Sequence, residues 1–426
     1  MTTSAGNTGI DTFDHSGLRR TVQEIVQKQP VTDLHTHLFS PEFGPLLLRG
    51  VDELLTYHYL TAETMRWSDV SPEGFFAMSK AEQADLVWQE LFLRHSPISE
   101  ACRGTLTSLQ AFGADVRTRD LPAFRSLFAS MSAAEHVDLT LRLSNVRHVV
   151  MTNDVFDENE RKIWLDGVTP DPRFHAVLRM DPLLNDYANA RLRLRSWGYS
   201  LEDSWNENTA AEIRRFLNDW MTRMKPLYMA VSLPPSFAFP DDSDRSRLIA
   251  ECVLPVCRKW NVPFAMMIGV VKRVNPALGD AGDFVGKADI GAVLQLLSRY
   301  PHNKFLVTML SRENQHELVV LARKFRNLMV FGCWWFMNNP AIIDEMTRMR
   351  TEMLGTSYIP QHSDARVLDQ LVYKWQHSKA IIADVLFEKY RDIADTGWMP
   401  ERSEIERDVA DLLYDNFWRF LAKRLA

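Results

Sequence analysis

The sequence predicts an α/β protein built on a closed, TIM-like (β/α)8 barrel with a helical insertion after the first strand. Three observations carry this. Eight short apolar runs of strand character are spread along 426 residues. Helical stretches separate most of them, and near-continuous apolar strands alternating with helices imply a parallel sheet covered on both faces. Eight such units suit a closed barrel rather than an open sheet. Between the first and second runs, residues 51–141 carry helix-period apolar positions and no convincing strand.

In chain order, residues 1–16 read as a loosely docked start. Leu18–Gln29 has an amphipathic helix pattern ended by Pro30, which feeds the first strand, Val31–Leu38. The other strand candidates are 147–154, 173–181, 228–235, 263–271, 304–310, 328–336 and 357–364, the last weak on propensity alone. Helices are expected at 210–224, 244–259, 290–299 and 314–325, and again from Arg366 to the end with a loop near Gly397–Pro400. The expected division is 1–50 (N-terminal helix and first strand), 51–142 (helical insertion) and 143–426 (the rest of the barrel and the C-terminal helices).

Composition narrows the function classes. Hydrophobic residues make up 46% and charged residues 24%, the balance of a soluble globular protein. A net charge of −6 with no basic block argues against nucleic acid as partner. No apolar run approaches the roughly 18–20 residues that span a membrane, and Met1–Asp14 lacks the pattern of a secretory signal. The four cysteines, Cys102, Cys252, Cys257 and Cys333, are irregularly spaced in apolar runs and read as buried free thiols. A cytoplasmic enzyme is expected, with its oligomeric state open to a homo-oligomer.

The chemistry starts at His35 and His37. Two apart on a strand, they share a face and form half a site for a divalent metal; spacing alone equally allows two strand histidines in ordinary hydrogen bonds. Barrel active sites lie at the C-terminal strand ends. There the polar candidates include Thr152, Asn153 and Asp154, then Arg179 and Asp181, Lys272 and Arg273, Ser311 and Arg312, Trp334 and Trp335, and Asp364 and Arg366. Barrel closure places the eighth strand beside the first, so Asp364 would complete a His-His-Asp set; alternatively it caps a helix starting near Arg366.

These residues resemble the uronate isomerases, a branch of the metal-dependent amidohydrolase superfamily. The matches are Asp33-Leu34-His35-Thr36-His37-Leu38, Tyr57-His58-Tyr59, Arg179-Met180-Asp181, Phe331-Gly332-Cys333-Trp334-Trp335-Phe336 and Ser363-Asp364-Ala365-Arg366. The resemblance implies aldose–ketose isomerisation of a hexuronate or related sugar acid by proton transfer between C2 and C1. It implies one divalent metal ion on His35, His37 and Asp364, zinc foremost, with manganese, cobalt and iron as alternatives. Asp364 would double as the base, and His58 and Tyr59 would serve ring opening or proton transfer to oxygen. Arg366, Arg179 and Lys272 would hold substrate oxygens or the carboxylate, and Trp334 would wall the pocket. Without the resemblance, Tyr57–Leu60 reads as an aromatic helix face, Arg179 as the ion-pair partner of Asp181, and Trp335 as a core residue.

Two stretches depart from the family pattern. At strand five the family's His-x-Gly-x-x-Arg is replaced by Met267-Ile268-Gly269-Val270-Val271-Lys272. Met267 cannot hydrogen-bond a hydroxyl as imidazole does, and Lys272 keeps the charge but loses the bidentate fork. At strand four, Val231-Ser232-Leu233-Pro234-Pro235 has no counterpart of the family's Ser-Asp-His-Gly. The metal end of the site is expected intact and the substrate end rewritten, which leaves the preferred sugar acid open between glucuronate and a relative of it. The rival reading is a mononuclear metal-dependent hydrolase of lactones, esters or amides.

Overall fold

The computed structural model describes residues 15–425, so most of the start expected over 1–16 lies outside the described residues. Seven parallel strands are regular: β1 (Val31–Thr36), β2 (Val146–Met151), β3 (the pieces Phe174–His175 and Leu178–Arg179), β4 (Met229–Leu233), β5 (Phe264–Ile268), β6 (Phe305–Met309) and β7 (Leu328–Val330). β2 is prolonged by the pair Asn153–Asp154, and the ladders run β1-β2-β3-β4-β5-β6-β7 without a break in order.

The eighth position is filled but is not a regular strand. Residues 357–364 form one parallel bridge, Phe331 with Ile359. On the other side, the Asp364 N–H donates to the His35 carbonyl at 3.2 Å and the His37 N–H to the Ala365 carbonyl at 2.7 Å. Those bonds close the barrel between β7 and β1. Helix formation resumes only at Gln370–Ala394, so Asp364 caps no helix and Arg366 lies before it rather than in its first turn.

The barrel interior is packed by Leu34, Val150, Val177, Ala230, Ala265, Met267 and Leu306, and the C-terminal Phe417 and Phe420 belong to the same cluster. A larger apolar layer joins the outer faces of the strands to the surrounding helices. Between β1 and β2 the described residues hold helices and no strand; the longer ones are Lys80–Trp88, Glu100–Ala111, Leu121–Ala129 and Ala133–Ser144. Serine caps start three of these four helices, at Ser79, Ser99 and Ser132. Two buried links tie this region to the barrel. His136 Nε2 lies 2.5 Å from Asp369 Oδ1, and Asp369 Oδ2 accepts the Gly50 N–H at 2.7 Å. The four cysteines are buried and free. No helix among the described residues is long and apolar enough to cross a membrane.

Candidate active site and metal centre

β1 is buried along its whole length; its register slips between Asp33 and Thr36, and His37 follows directly on its end. At the mouth, His35 Nε2 and His37 Nε2 lie 3.5 and 3.3 Å from the same oxygen, Asp364 Oδ1. Neither His35 nitrogen has a hydrogen-bond partner, and neither does Asp364 Oδ1, although all are buried. Buried polar atoms are normally satisfied. Two such orphaned ligand atoms, His35 Nε2 and Asp364 Oδ1, converging with His37 Nε2 on one point therefore fit a bound cation. A tetrahedral ion with bonds of about 2.0–2.2 Å sets its ligands roughly 3.3–3.6 Å apart, which matches both distances. The cluster can hold a divalent metal ion.

The hydrogen bonds behind His37 prepare it as a ligand. Thr152 Oγ1 lies 2.7 Å from the Thr36 carbonyl and 3.1 Å from His37 Nδ1. A carbonyl cannot donate, so the hydroxyl's one proton goes to Thr36 and Nδ1 must carry the proton it shares with Thr152. That leaves the Nε2 lone pair facing Asp364. Burial lowers the His37 pKa to about 3, keeping the ring neutral. Asp364 stays ionised: burial opposes its charge, but the two imidazoles hold it well below the usual carboxylate range.

Around this cluster, His58, Arg179, Ser232, Val270, Lys272, Trp334, Trp335 and Arg366 line a cleft. The His58 pKa falls to about 3, first through burial and then through the Arg366 cation, and its Nε2 has no partner. Tyr59 is not in the lining; its hydroxyl is buried without a partner, and Lys374 Nζ sits 5.8 Å from its ring centre. Arg179 does pair with Asp181, through Nε at 2.8 Å and Nη2 at 3.0 Å, and it lines the cleft as well. Lys272 lies at the rim, 2.6 Å from Asp283 and 5.5 Å from the Trp335 ring centre.

Several features differ from the sequence reading. The sequence places Trp335 in the core, and it is buried in the interior cluster, but it lines the cleft as well as Trp334 does. The strand stops at Val330, the chain turns through Trp335–Met337 with Trp335 at φ 48°, and both indoles reach the cleft. Ser232 and His362 carried no signal in the sequence. His362 is buried against His35 and Phe331 with both ring nitrogens unpartnered. It fits there because residue 332 is glycine: a Cβ would stand 1.7 Å from His362 Nδ1. Met267 is buried in the barrel interior and does not line the cleft.

No family model and no curated protein matches the chain. Among solved structures, a uronate isomerase from Bacillus halodurans C-125 is 65% identical, with a TM-score of 0.96, over 97% of this chain and 98% of its own. The chain belongs to the uronate isomerase family. A uronate isomerase from Thermotoga maritima (16% identity, TM-score 0.76, 94% and 97% covered) and a glucuronate isomerase from Caulobacter crescentus (14%, 0.68, 98% and 97%) share the fold. The family's barrel therefore persists here with a strand five that lacks the expected imidazole.

Proposed function

We propose that this protein interconverts the aldose and ketose forms of a hexuronate or related sugar acid by moving a proton between C2 and C1. The observation that carries the reading is the His35–His37–Asp364 cluster set in a cleft that also holds the cations Arg179, Lys272 and Arg366. An anionic sugar needs such cations for its carboxylate, and an enediolate needs positive charge at its oxygens. A divalent ion on His35, His37 and Asp364, zinc foremost, would polarise the carbonyl and hydroxyl oxygens when bound.

The chain's own groups then divide the work. Asp364 is ionised and takes the C2 proton, returning it to C1. Neutral His58, with a free Nε2 and Tyr59 as its ring neighbour at 4.6 Å between centroids, takes the anomeric hydroxyl proton and returns it to the ring oxygen as the C1–O5 bond breaks, then carries the O2 proton to O1. Arg366 and Arg179 hold the carboxylate and adjacent oxygens. Trp334 and Trp335 wall the sugar and keep water from the intermediate.

The test is a screen of hexuronates with the metal-loaded protein in deuterated water. Aldose–ketose conversion, with solvent deuterium appearing at C2 of the aldose recovered by back-reaction, supports the proposal. Incorporation of water oxygen into the product of a lactone or ester, with no hexuronate isomerised, would establish the hydrolase instead.

A further inference from the structure

Beyond β5 the chain forms a strap across the barrel mouth. Val270–Val271 pairs antiparallel with Phe284–Val285, and between them the turn Pro276–Gly282 packs against the helix His58–Thr64. The turn is closed on itself. The Asn275 N–H donates to the Gly282 carbonyl at 3.1 Å, and the Arg273 N–H to Asp283 Oδ1 at 2.8 Å. Both rim cations are countered by acids of this one strap. Asp280 Oδ2 lies 3.1 Å from Arg366 Nη1, and Asp283 Oδ2 lies 2.6 Å from Lys272 Nζ. The cleft beneath encloses only about 30 Å³. That is room for about two waters and far below the roughly 300 Å³ at which small-molecule sites begin. A sugar acid cannot enter unless something moves.

We propose that Asp280 is a specificity-determining residue: its carboxylate occupies on Arg366 the place of the substrate's carboxylate, and the turn 276–282 is displaced when a sugar acid binds. This rests on the reading that Arg366 holds the carboxylate of a sugar acid. Asp280 is more than half exposed, and its contact with Arg366 is a single point. Such pairs are weak, whereas a carboxylate set two-pronged on a guanidinium is strong. An incoming carboxylate therefore wins the arginine. A neutral sugar has nothing with which to displace Asp280, so the strap selects for acids.

The test uses the metal-loaded protein and D-glucarate, a sugar diacid with no carbonyl to isomerise. Calorimetry should show Asp280→Asn binding glucarate about three- to fivefold more tightly than wild type, as expected for losing one exposed pair. The neutral sorbitol, with no carboxylate for Arg366, should show no measurable binding to the wild type. In the wild type, saturation with glucarate should speed amide hydrogen exchange over residues 276–282. Equal or weaker binding by Asp280→Asn, no binding of glucarate to either protein, or protection of 276–282 on saturation would each overturn the inference. Neither readout needs turnover. Glucarate binding with the expected exchange but no isomerised hexuronate would sink the proposed function alone. Isomerisation with a protected turn would sink this inference alone.

Discussion

Thr152→Val tests whether the metal centre is prepared by its surroundings. The change deletes one oxygen at almost constant shape. The Thr36 carbonyl keeps the Thr152 backbone N–H at 3.0 Å, so the loss falls on His37 Nδ1, which held the hydroxyl at 3.1 Å. A buried N–H left without an acceptor costs about 1–3 kcal/mol. The ring escapes that cost by moving its proton to Nε2, which removes the lone pair aimed at Asp364. Either route weakens the metal, by about 10–100-fold on the usual effect of removing such an outer hydrogen bond, or roughly 1.4–2.7 kcal/mol. Competition for zinc against a chromophoric chelator measures this directly. Thr152→Ser keeps the hydroxyl and should stay within about threefold of wild type. If the valine variant melts like wild type and binds zinc equally well, the assignment of the His37 proton is wrong.

Three further outcomes follow from buried groups. Gly332→Ala places a methyl 1.7 Å from His362 Nδ1 at a φ of 63°; overpacking and left-handed strain together should cost roughly 2–5 kcal/mol in urea unfolding, and a loss under 1 kcal/mol would contradict the packing. Asp33→Asn cannot accept from both the Ser363 N–H (3.0 Å) and Trp375 Nε1–H (2.8 Å), so a loss of about 1–3 kcal/mol is expected by the same measurement. Burial raises the Glu160 pKa from 4.5 to about 8. The native state then binds the extra proton, so this group's contribution is full below pH 4.5 and is lost as pH rises through 8, by roughly 3–5 kcal/mol in all. Glu160→Gln should flatten that decline between pH 5 and 9; an unchanged slope would remove Glu160 as its cause.

The legible parts of this protein were those governed by a fixed period. His35 and His37 could be paired from sequence because a strand repeats every two residues. The barrel could be anticipated because buried parallel strands leave apolar runs, and Asp364 could be joined to the histidines because closure makes the first and eighth positions neighbours. Trp335 packs in the core as expected, but its place in the cleft could not be read, because alternation presumes a strand that continues and β7 ends at Val330. Asp280 reaches the rim of the cleft by a turn, which has no period to read. The helix expected at 244–259 forms, but with a π segment at Leu248–Val253 just before Pro255. There the missing proline N–H forces a local change in hydrogen bonding.

The weak eighth strand and the active carboxylate are one feature. Asp364 has φ 52°, a left-handed conformation that costs a non-glycine residue about 1–2 kcal/mol. A regular strand through 357–364 would relieve that cost but send the Asp364 side chain elsewhere. The residue before it, Ser363, is held at both ends instead. Its N–H side is fixed where Ser363 N donates to Asp33, and its carbonyl accepts from Lys374 Nζ at 2.5 Å and Asn338 Nδ2 at 3.1 Å. Hydrogen bonds to buried charged groups are each worth about 1.5–3 kcal/mol, so two of them outweigh the strain. Asp33 sits two residues before His35 on β1, so one segment, Asp33–His37, carries both the histidines and the group that fixes the carboxylate facing them. The position of Asp364 is thereby set by the strand it must face, and a poor strand-forming sequence at 357–364 is what allows it to be.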